Sequence, residues 1–273
     1  MNKRQIITLI ISLFMAFTSC EKKSESKPTE KQLTLISKII DNVGPFKGQI
    51  VSKFKWEGKR LIEAEDVQAK TKYVFNYSSN GKIESIHDYD LVTNKISETF
   101  NQLKYDGDLV TQYTHDQIGN NNYRIYKLSY QNSKLSKSVT EFYYRNPNVL
   151  FQSSTIIYNY DDKGNLINMI NHNGYKNNFT KVDNTKKSVL DFLPVWFYTP
   201  IESSVHAFWG ISFQNFLPRN EVLLEATGSD GDNHKYTYEF NEAGYPTRIK
   251  QASTKNGITY SNEDYTYEYI ALE

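Results

Sequence analysis

The 273-residue chain has a single cysteine, so no internal disulfide can staple it. It has no excess of charge either. Its 32 Lys and Arg stand against 31 Asp and Glu, which gives neither a nucleic-acid footprint nor a polybasic membrane patch. Five histidines, His87, His115, His172, His206 and His234, show no H-E-x-x-H or paired ligand spacing, so the common zinc signatures are excluded. There is no G-x-S-x-G elbow, phosphate loop or dinucleotide fingerprint, and no cofactor is implied. "SDGDNH" (Ser229–His234) and "YDGD" (Tyr105–Asp108) lack the terminal Glu and the ligand number of a calcium loop, and read as turns. Carboxylates are plentiful, yet no spacing singles out a pair at glycosidase separation. Hydrophobic residues are scarce at 38%, but 21 Tyr and 15 Phe supply ring area in their place. Each well-buried ring contributes roughly 1.5–3 kcal/mol, so a core is available.

Long apolar runs are also scarce. Ile6 to Phe17 is one, and it falls short of the ~20 residues that a permanent membrane helix needs. Lys3 and Arg4 precede it, Thr18-Ser19 follow it, and the sole cysteine comes next. "MNKRQIITLIISLFMAFTSC" therefore reads as a secretory signal. "FTSC" resembles a lipobox, with Phe17 where leucine is usual. Residues 1–19 are expected to be a lipoprotein signal peptide, with Cys20 as the site of lipid attachment. Acyl chains on Cys20 would hold the protein to a membrane without a helix, at ~0.8 kcal/mol per buried methylene. Residues 20–31, with "EKKSESKPTEK", are charged and lack apolar periodicity, so they read as a flexible tether. The expected location is the cell envelope, lipid-anchored at the outer membrane, on its periplasmic face or at the cell surface.

Residues 32–273 carry a repeat. "FKWEGKRLI" (Phe54–Ile62), "YVFNYSSNGKIESI" (Tyr73–Ile86), "LKYDGDLV" (Leu103–Val110), "YKLSYQNSKL" (Tyr126–Leu135), "IIYNYDDKGNLINMI" (Ile156–Ile170) and "YTYEFNEAGYPTRI" (Tyr236–Ile249) share one plan. Large residues alternate along a strand, a turn follows, and an apolar strand returns; "YTYEYI" (Tyr265–Ile270) supplies a last first half. Alternation puts Tyr73, Phe75 and Tyr77 on one face and Val74 and Asn76 on the other; Tyr236, Tyr238 and Phe240 are likewise opposed by Thr237 and Glu239, as in a half-buried antiparallel strand. Glu57-Gly58 and Asp106-Gly107 suit type I′ turns, whereas Asn132-Ser133 has no glycine. The expected fold is all-β: one meander of hairpins curling into a barrel or half-barrel.

The repeat resembles the tyrosine-aspartate repeats of large bacterial shell-forming proteins, which carry many more copies. More closely, the signal with its lipobox, the YxYxY–G–L hairpins, the central aromatic and proline segment and "GYPTRI" (Gly244–Ile249) resemble a Bacteroidetes lipoprotein family. That family has a domain of unknown function described as having a porin-like fold. The resemblance covers about Gln32 to Glu273. It implies a fold and an envelope address, and no chemistry.

One segment breaks the rhythm. Residues 189–218, "VLDFLPVWFYTPIESSVHAFWGISFQNFLP", hold two of the three tryptophans and three prolines, with room for a short helix after Pro200. They are expected to form a lid or plug over the aromatic face. Alternatively Trp196, Phe197, Tyr198, Phe208 and Trp209 form a ligand platform. A membrane-spanning barrel does not fit strands that are tyrosine-rich through their centres, where lipid favours aliphatics. The function that follows is a non-enzymatic binding or scaffold module for a glycan or an envelope protein. A carboxylate-dependent hydrolase is the alternative.

Overall fold

The computed structural model describes residues 34–188, 222–228 and 231–271. Among them are sixteen strands that pair antiparallel in chain order, and the first pairs with the last, closing a barrel. They are β1 (Thr34–Asp41), β2 (Ile50–Glu57), β3 (Arg60–Asp66), β4 (Thr71–Tyr77), β5 (Ile83–Asp90), β6 (Lys95–Asp106), β7 (Leu109–Gln117) and β8 (Asn122–Gln131). Then come β9 (Lys134–Tyr144), β10 (Val149–Tyr160), β11 (Leu166–Asn171), β12 (Lys176–Asp183), β13 (Val222–Gly228), β14 (Asp232–Phe240), β15 (Pro246–Lys255) and β16 (Ile258–Ala271). The expected meander is a full barrel. Closure removes both sheet edges, which a half-barrel would leave exposed.

The repeat's turns, β2–β3, β4–β5, β6–β7, β8–β9, β10–β11 and β14–β15, all lie at one end, the turn end. Pairing of β1 with β16 places Thr34 and Ala271 at that end too. The chain also leaves β12 and re-enters β13 there. The other connections form the rim end.

The tight turns differ from the type I′ expectation. Gly58 and Gly107 have φ of 55° and 57°, but Lys59 and Asp108, the second residues of the loops, do not have positive φ. Positive φ at the first position alone is the type II′ pattern. Asn132 and Ser133, with φ of 51° and 61°, take the type I′ form without a glycine. Asparagine tolerates the left-handed region, which allows it.

In the repeat hairpins strict alternation holds on every outgoing strand except β6, where a bulge at Gln102 (φ 53°) puts Phe100 and Leu103 on the same side, and it fails on the returning strands. Each of the six repeat hairpins shifts register by one residue beside its last aromatic, for example between Asn76 and Tyr77. Inward residues of the returning strand are therefore three apart at that point: Leu61 and Ala64, Ile83 and Ile86, Val110 and Tyr113, Leu166 and Met169. All eight are buried. This is a β-bulge, which takes a backbone group out of the ladder. The next hairpin supplies the partner. Tyr77 Oη donates to the Leu61 carbonyl (2.9 Å), Tyr105 to Ile83 (2.7 Å), Tyr130 to Val110 (2.8 Å) and Tyr160 to Leu135 (2.8 Å). Tyr269 donates to Pro246 (2.6 Å), Tyr238 to Leu223, and Trp56 Nε1 to Ile36 (2.7 Å). Burial pushes the Tyr105 and Tyr130 phenols up to about 12, so they stay neutral donors at any physiological pH. In five of the six repeats the last aromatic thus caps the bulge of its neighbour; in the sixth the cap is Tyr238, two residues before the last aromatic, Phe240. That explains a tyrosine where a phenylalanine would bury equally well.

The outer wall carries ion pairs along its strands: Lys53–Glu65 (3.2 Å), Lys55–Glu63 (3.3 Å), Lys72–Glu63 (3.4 Å) and Arg248–Asp264 (2.7 Å). A charge on a lipid-facing strand costs roughly 2–4 kcal/mol at mid-membrane, so this wall is suited to water. Exposed ion pairs of this kind add little stability themselves. The stabilising core is inside the barrel.

Candidate functional site

The barrel interior has two halves of different chemistry. Towards the turn end it is filled by Phe54, Phe75, Phe100, Tyr113, Tyr126, Tyr158, Tyr236 and Tyr267, all buried. Tyr113 stacks on Tyr126 with ring centres 4.7 Å apart. Towards the rim end the inward positions turn polar. Asp41, Ser52, Asp66, Asp88, His115, Ser154, His234, Gln251 and Ser253 are all buried there.

Strand register orders the acidic members into an arc. Ser52 faces Asp66 across β2–β3, Asp88 faces Glu98 across β5–β6, and Glu98 faces Gln117 across β6–β7. On the far side of β1, Asp41 and Glu263 are close enough for their charges to interact. The returning-strand bulge sets this parity. Counting by twos from Ile83 would put His87 inside and Asp88 outside; the bulge reverses the two.

The carboxylates differ in state. Burial, with the Glu98 charge beside it, pushes Asp88 up to about 6, and the Ser97 hydroxyl bonding to Oδ2 at 3.2 Å opposes this only in part. Burial would raise Glu98 too. There it is overcome by the hydrogen bond from His115 Nε2 (2.8 Å), by the charge interaction with His115 and by the hydrogen bond from Gln117 Nε2 (2.7 Å), which together hold Glu98 below its usual range. Burial raises Asp66 as well, against a bond from the Ala69 N–H. Glu263 is pushed up to about 7 by burial and by Asp41. His115 lies stacked on Phe100, with ring centres 4.4 Å apart and planes within 8°. Several polar atoms in this half have no hydrogen-bond partner among the described residues: the acceptors Asp88 Oδ1, Asn177 Oδ1 and Gln251 Oε1, and the second ring nitrogen of His115, Nδ1. A lining rich in acceptors can hold a ligand rich in donors, such as a polyol or an amine.

Among the described residues no three His, Cys, Asp or Glu side chains gather closely enough to hold a metal ion. A shallow cavity of about 210 Å³ on the outer wall, lined by Thr237, Tyr238, Glu239, Arg248 and Lys250, is the weaker candidate, because Arg248 is already held by Asp264. "YDGD" is the β6–β7 turn, and His234 of "SDGDNH" is buried against the Ser253 hydroxyl (2.9 Å). Cys20 and the platform residues Trp196, Phe197, Tyr198, Phe208 and Trp209 lie outside the described residues, as do residues 1–33 and the whole 189–218 segment.

No protein-family model matches the chain, and no curated protein matches it. Solved structures do. A porin-like protein from Bacteroides uniformis aligns with 82% of this chain and 87% of its own at 14% identity and a TM-score of 0.47. A porin-like protein from Bacteroides vulgatus aligns with 87% of this chain and 99% of its own at 15% identity and a TM-score of 0.40. A chain of the Photorhabdus luminescens Tc holotoxin pore aligns over 84% of this chain but only 14% of its own, at 11% identity and a TM-score of 0.31. At these scores the likeness adds nothing to the fold that the strand pairing already defines.

Proposed function

We propose that this chain is a cell-envelope lipoprotein, held to a membrane through an acylated Cys20, whose barrel is a non-enzymatic binding module for a donor-rich polar ligand such as a glycan. One observation carries the reading. The interior is divided into a tyrosine-packed half that fixes the fold and an acceptor-rich half whose Asp88 and His115 each keep an unpartnered atom. A protein optimised for stability alone would fill that half with apolar side chains, since an unsatisfied buried polar group costs about 1–3 kcal/mol. Calorimetric titration with neutral oligosaccharides and amino sugars tests the reading. Binding that weakens at least tenfold in Glu98→Gln and Asp88→Asn supports it, and equal affinity in wild type and both variants refutes it.

The Asp88–Glu98 pair also favours the hydrolase as a second reading. One carboxyl keeps its proton up to about pH 6 while its neighbour is held ionised, on directly opposed strand positions whose Cβ atoms lie about 5 Å apart. That is the division of labour of a retaining glycosidase. Release of aryl alcohol from aryl glycosides, lost in either variant, would favour the enzyme over the binding module.

A further inference from the structure

We propose that the rim end of the barrel is a peripheral lipid-docking face that takes an anionic bilayer surface, a role separate from ligand binding inside. The two ends of the barrel differ in a way that neither folding nor the interior site requires. Of the large apolar side chains that are exposed among the described residues, Ile157, Ile167 and Ile270 lie on the outer wall. All the others are at the rim end. Phe46 belongs to the β1–β2 connection, Leu91 and Val92 (71% exposed) to β5–β6, and Ile118 to β7–β8. The β9–β10 hairpin contributes Tyr144, Val149, Leu150 and Phe151, with Tyr144 and Phe151 stacked at 4.2 Å. Tyr175 comes from β11–β12, and Ile258 (72% exposed) and Tyr260 flank β15–β16. Among the described residues, no loop residue at the turn end exposes a large apolar side chain; there the two-residue loops read Gly-Lys, Gly-Asp and Asn-Ser, and β10–β11 reads Asp-Asp-Lys-Gly-Asn.

Charge selects the occupant. Seven rim connections (42–49, 67–70, 91–94, 118–121, 145–148, 172–175 and 256–257) contain Lys47, Lys70, Arg145 and His172 and no acidic residue; the eighth, 229–231, includes Asp230, which lies outside the described residues. Flanking acids are engaged elsewhere. Asp41 and Asp66 are buried, Asp90 accepts the Val92 and Thr93 N–H groups (both 2.8 Å), Asp116 pairs with Arg145, and Asp232 with Lys255 (3.3 Å). Lys47 and Lys70 are exposed and have no ion pair among the described residues. Apolar tips spread over six connections around a ring, four on β9–β10 and one or two on each of the others, do not gather into one contiguous protein-binding patch. They meet a plane together. Apolar side chains at headgroup depth with Lys and Arg beside them form the usual chemistry of peripheral attachment to anionic lipid. An acylated Cys20 would not prevent it. The fourteen residues from Cys20 to Leu33 reach up to about 48 Å extended, against about 30 Å for a barrel of tilted twelve-residue strands.

The test uses the full chain carrying Cys20→Ser, so that no acyl group contributes. A single cysteine, introduced as Val92→Cys, Ile258→Cys or, at the turn end, Asp108→Cys, carries an environment-sensitive fluorophore. Each labelled protein is titrated with phosphatidylcholine vesicles, with and without phosphatidylglycerol. The expected result is a blue shift and quenching by lipid-borne quencher at positions 92 and 258 but not at 108, with the midpoint at lower lipid when phosphatidylglycerol is present. The double change Lys47→Gln with Lys70→Gln should raise that midpoint about 25-fold, at about fivefold per lysine. The same response at 108 would mean that adsorption is not through the rim. A blue shift that grows with protein concentration and needs no lipid would put a second copy on the rim. No shift at 92 or 258 with any vesicle would leave the face to a protein partner. Each of these three results overturns the proposal.

Discussion

The charge on Asp88 should make the barrel weaker at neutral pH than in mild acid. The Asp88 carboxyl is 6% exposed, and its folded pKa is raised from the ordinary 3.8 to about 6. A raised carboxyl pKa means that the folded barrel binds the proton more tightly than the unfolded chain. Its contribution to stability is complete below about pH 4 and is lost as pH climbs through about 6. The rise corresponds to about 3 kcal/mol. Asp88→Asn keeps the shape and removes the charge, but it weakens the bond from the Ser97 hydroxyl. A gain of about 1–3 kcal/mol at pH 8 is therefore expected, falling to about a third of that at pH 4.5, where the folded carboxyl is neutral but the unfolded one is still mostly ionised. For a barrel of this size that is about 3–10 °C in Tm. Thermal melts followed by circular dichroism at pH 4.5, 6 and 8 measure it. Glu98, held low, contributes in the opposite sense, so the difference between variant and wild type is the informative quantity. If Asp88→Asn lowered Tm equally at all three values, Asp88 would be an ionised structural acceptor and the reasoning would fail.

Four further outcomes are expected. Tyr160→Phe removes the hydroxyl that caps the Leu135 carbonyl and should cost about 1–2 kcal/mol in chemical denaturation. Tyr143→Phe, whose hydroxyl reaches Glu141 on the outer wall, should cost less than half as much, and equal losses would refute the bulge-capping role. Gly164→Val, at φ 82° and against the Lys134 side chain, should cost about 1–3 kcal/mol, with Lys163→Ala close to neutral as the control. Cys20→Ala should move the protein from the membrane fraction to the soluble fraction, and retention in the membrane would contradict the lipid anchor.

Much of the fold is legible in the sequence because the outgoing strands obey a simple rule. Tyr236 and Tyr238 alternate with Lys235, Thr237 and Glu239, and both land inside the barrel, as do Tyr73 and Phe75 on either side of Val74. Closure is not legible in the same way, because it depends on β1 pairing with β16 across most of the chain. Nothing local in "TLISKIID" or "YTYEYI" specifies that partner. The acceptor-rich half is harder still to see. Acidic residues are as common on the outer wall, at Glu63, Glu65 and Glu141, as they are inside. Telling them apart requires the inside–outside parity, which the bulge after Ile83 reverses for Asp88 and the one after Val110 reverses for His115. A signal was present all the same: apolar residues three apart after each turn, as in Leu61 and Ala64 or Leu166 and Met169, are the mark of a bulge on a returning strand.

The most direct test of a ligand-binding interior is the histidine ring spectrum of the protein during titration with an oligosaccharide found to bind. His115 is inside, stacked on Phe100, with its Nδ1 unpartnered, and His87 is on the outer wall beside Tyr89. Their signals are assigned by His115→Gln and His87→Gln. The expected result is a saturable shift of the His115 resonances with His87 unmoved. A saturable shift of His87 with His115 unchanged, or binding that moves neither ring, would contradict a site in the acceptor-rich half of the barrel.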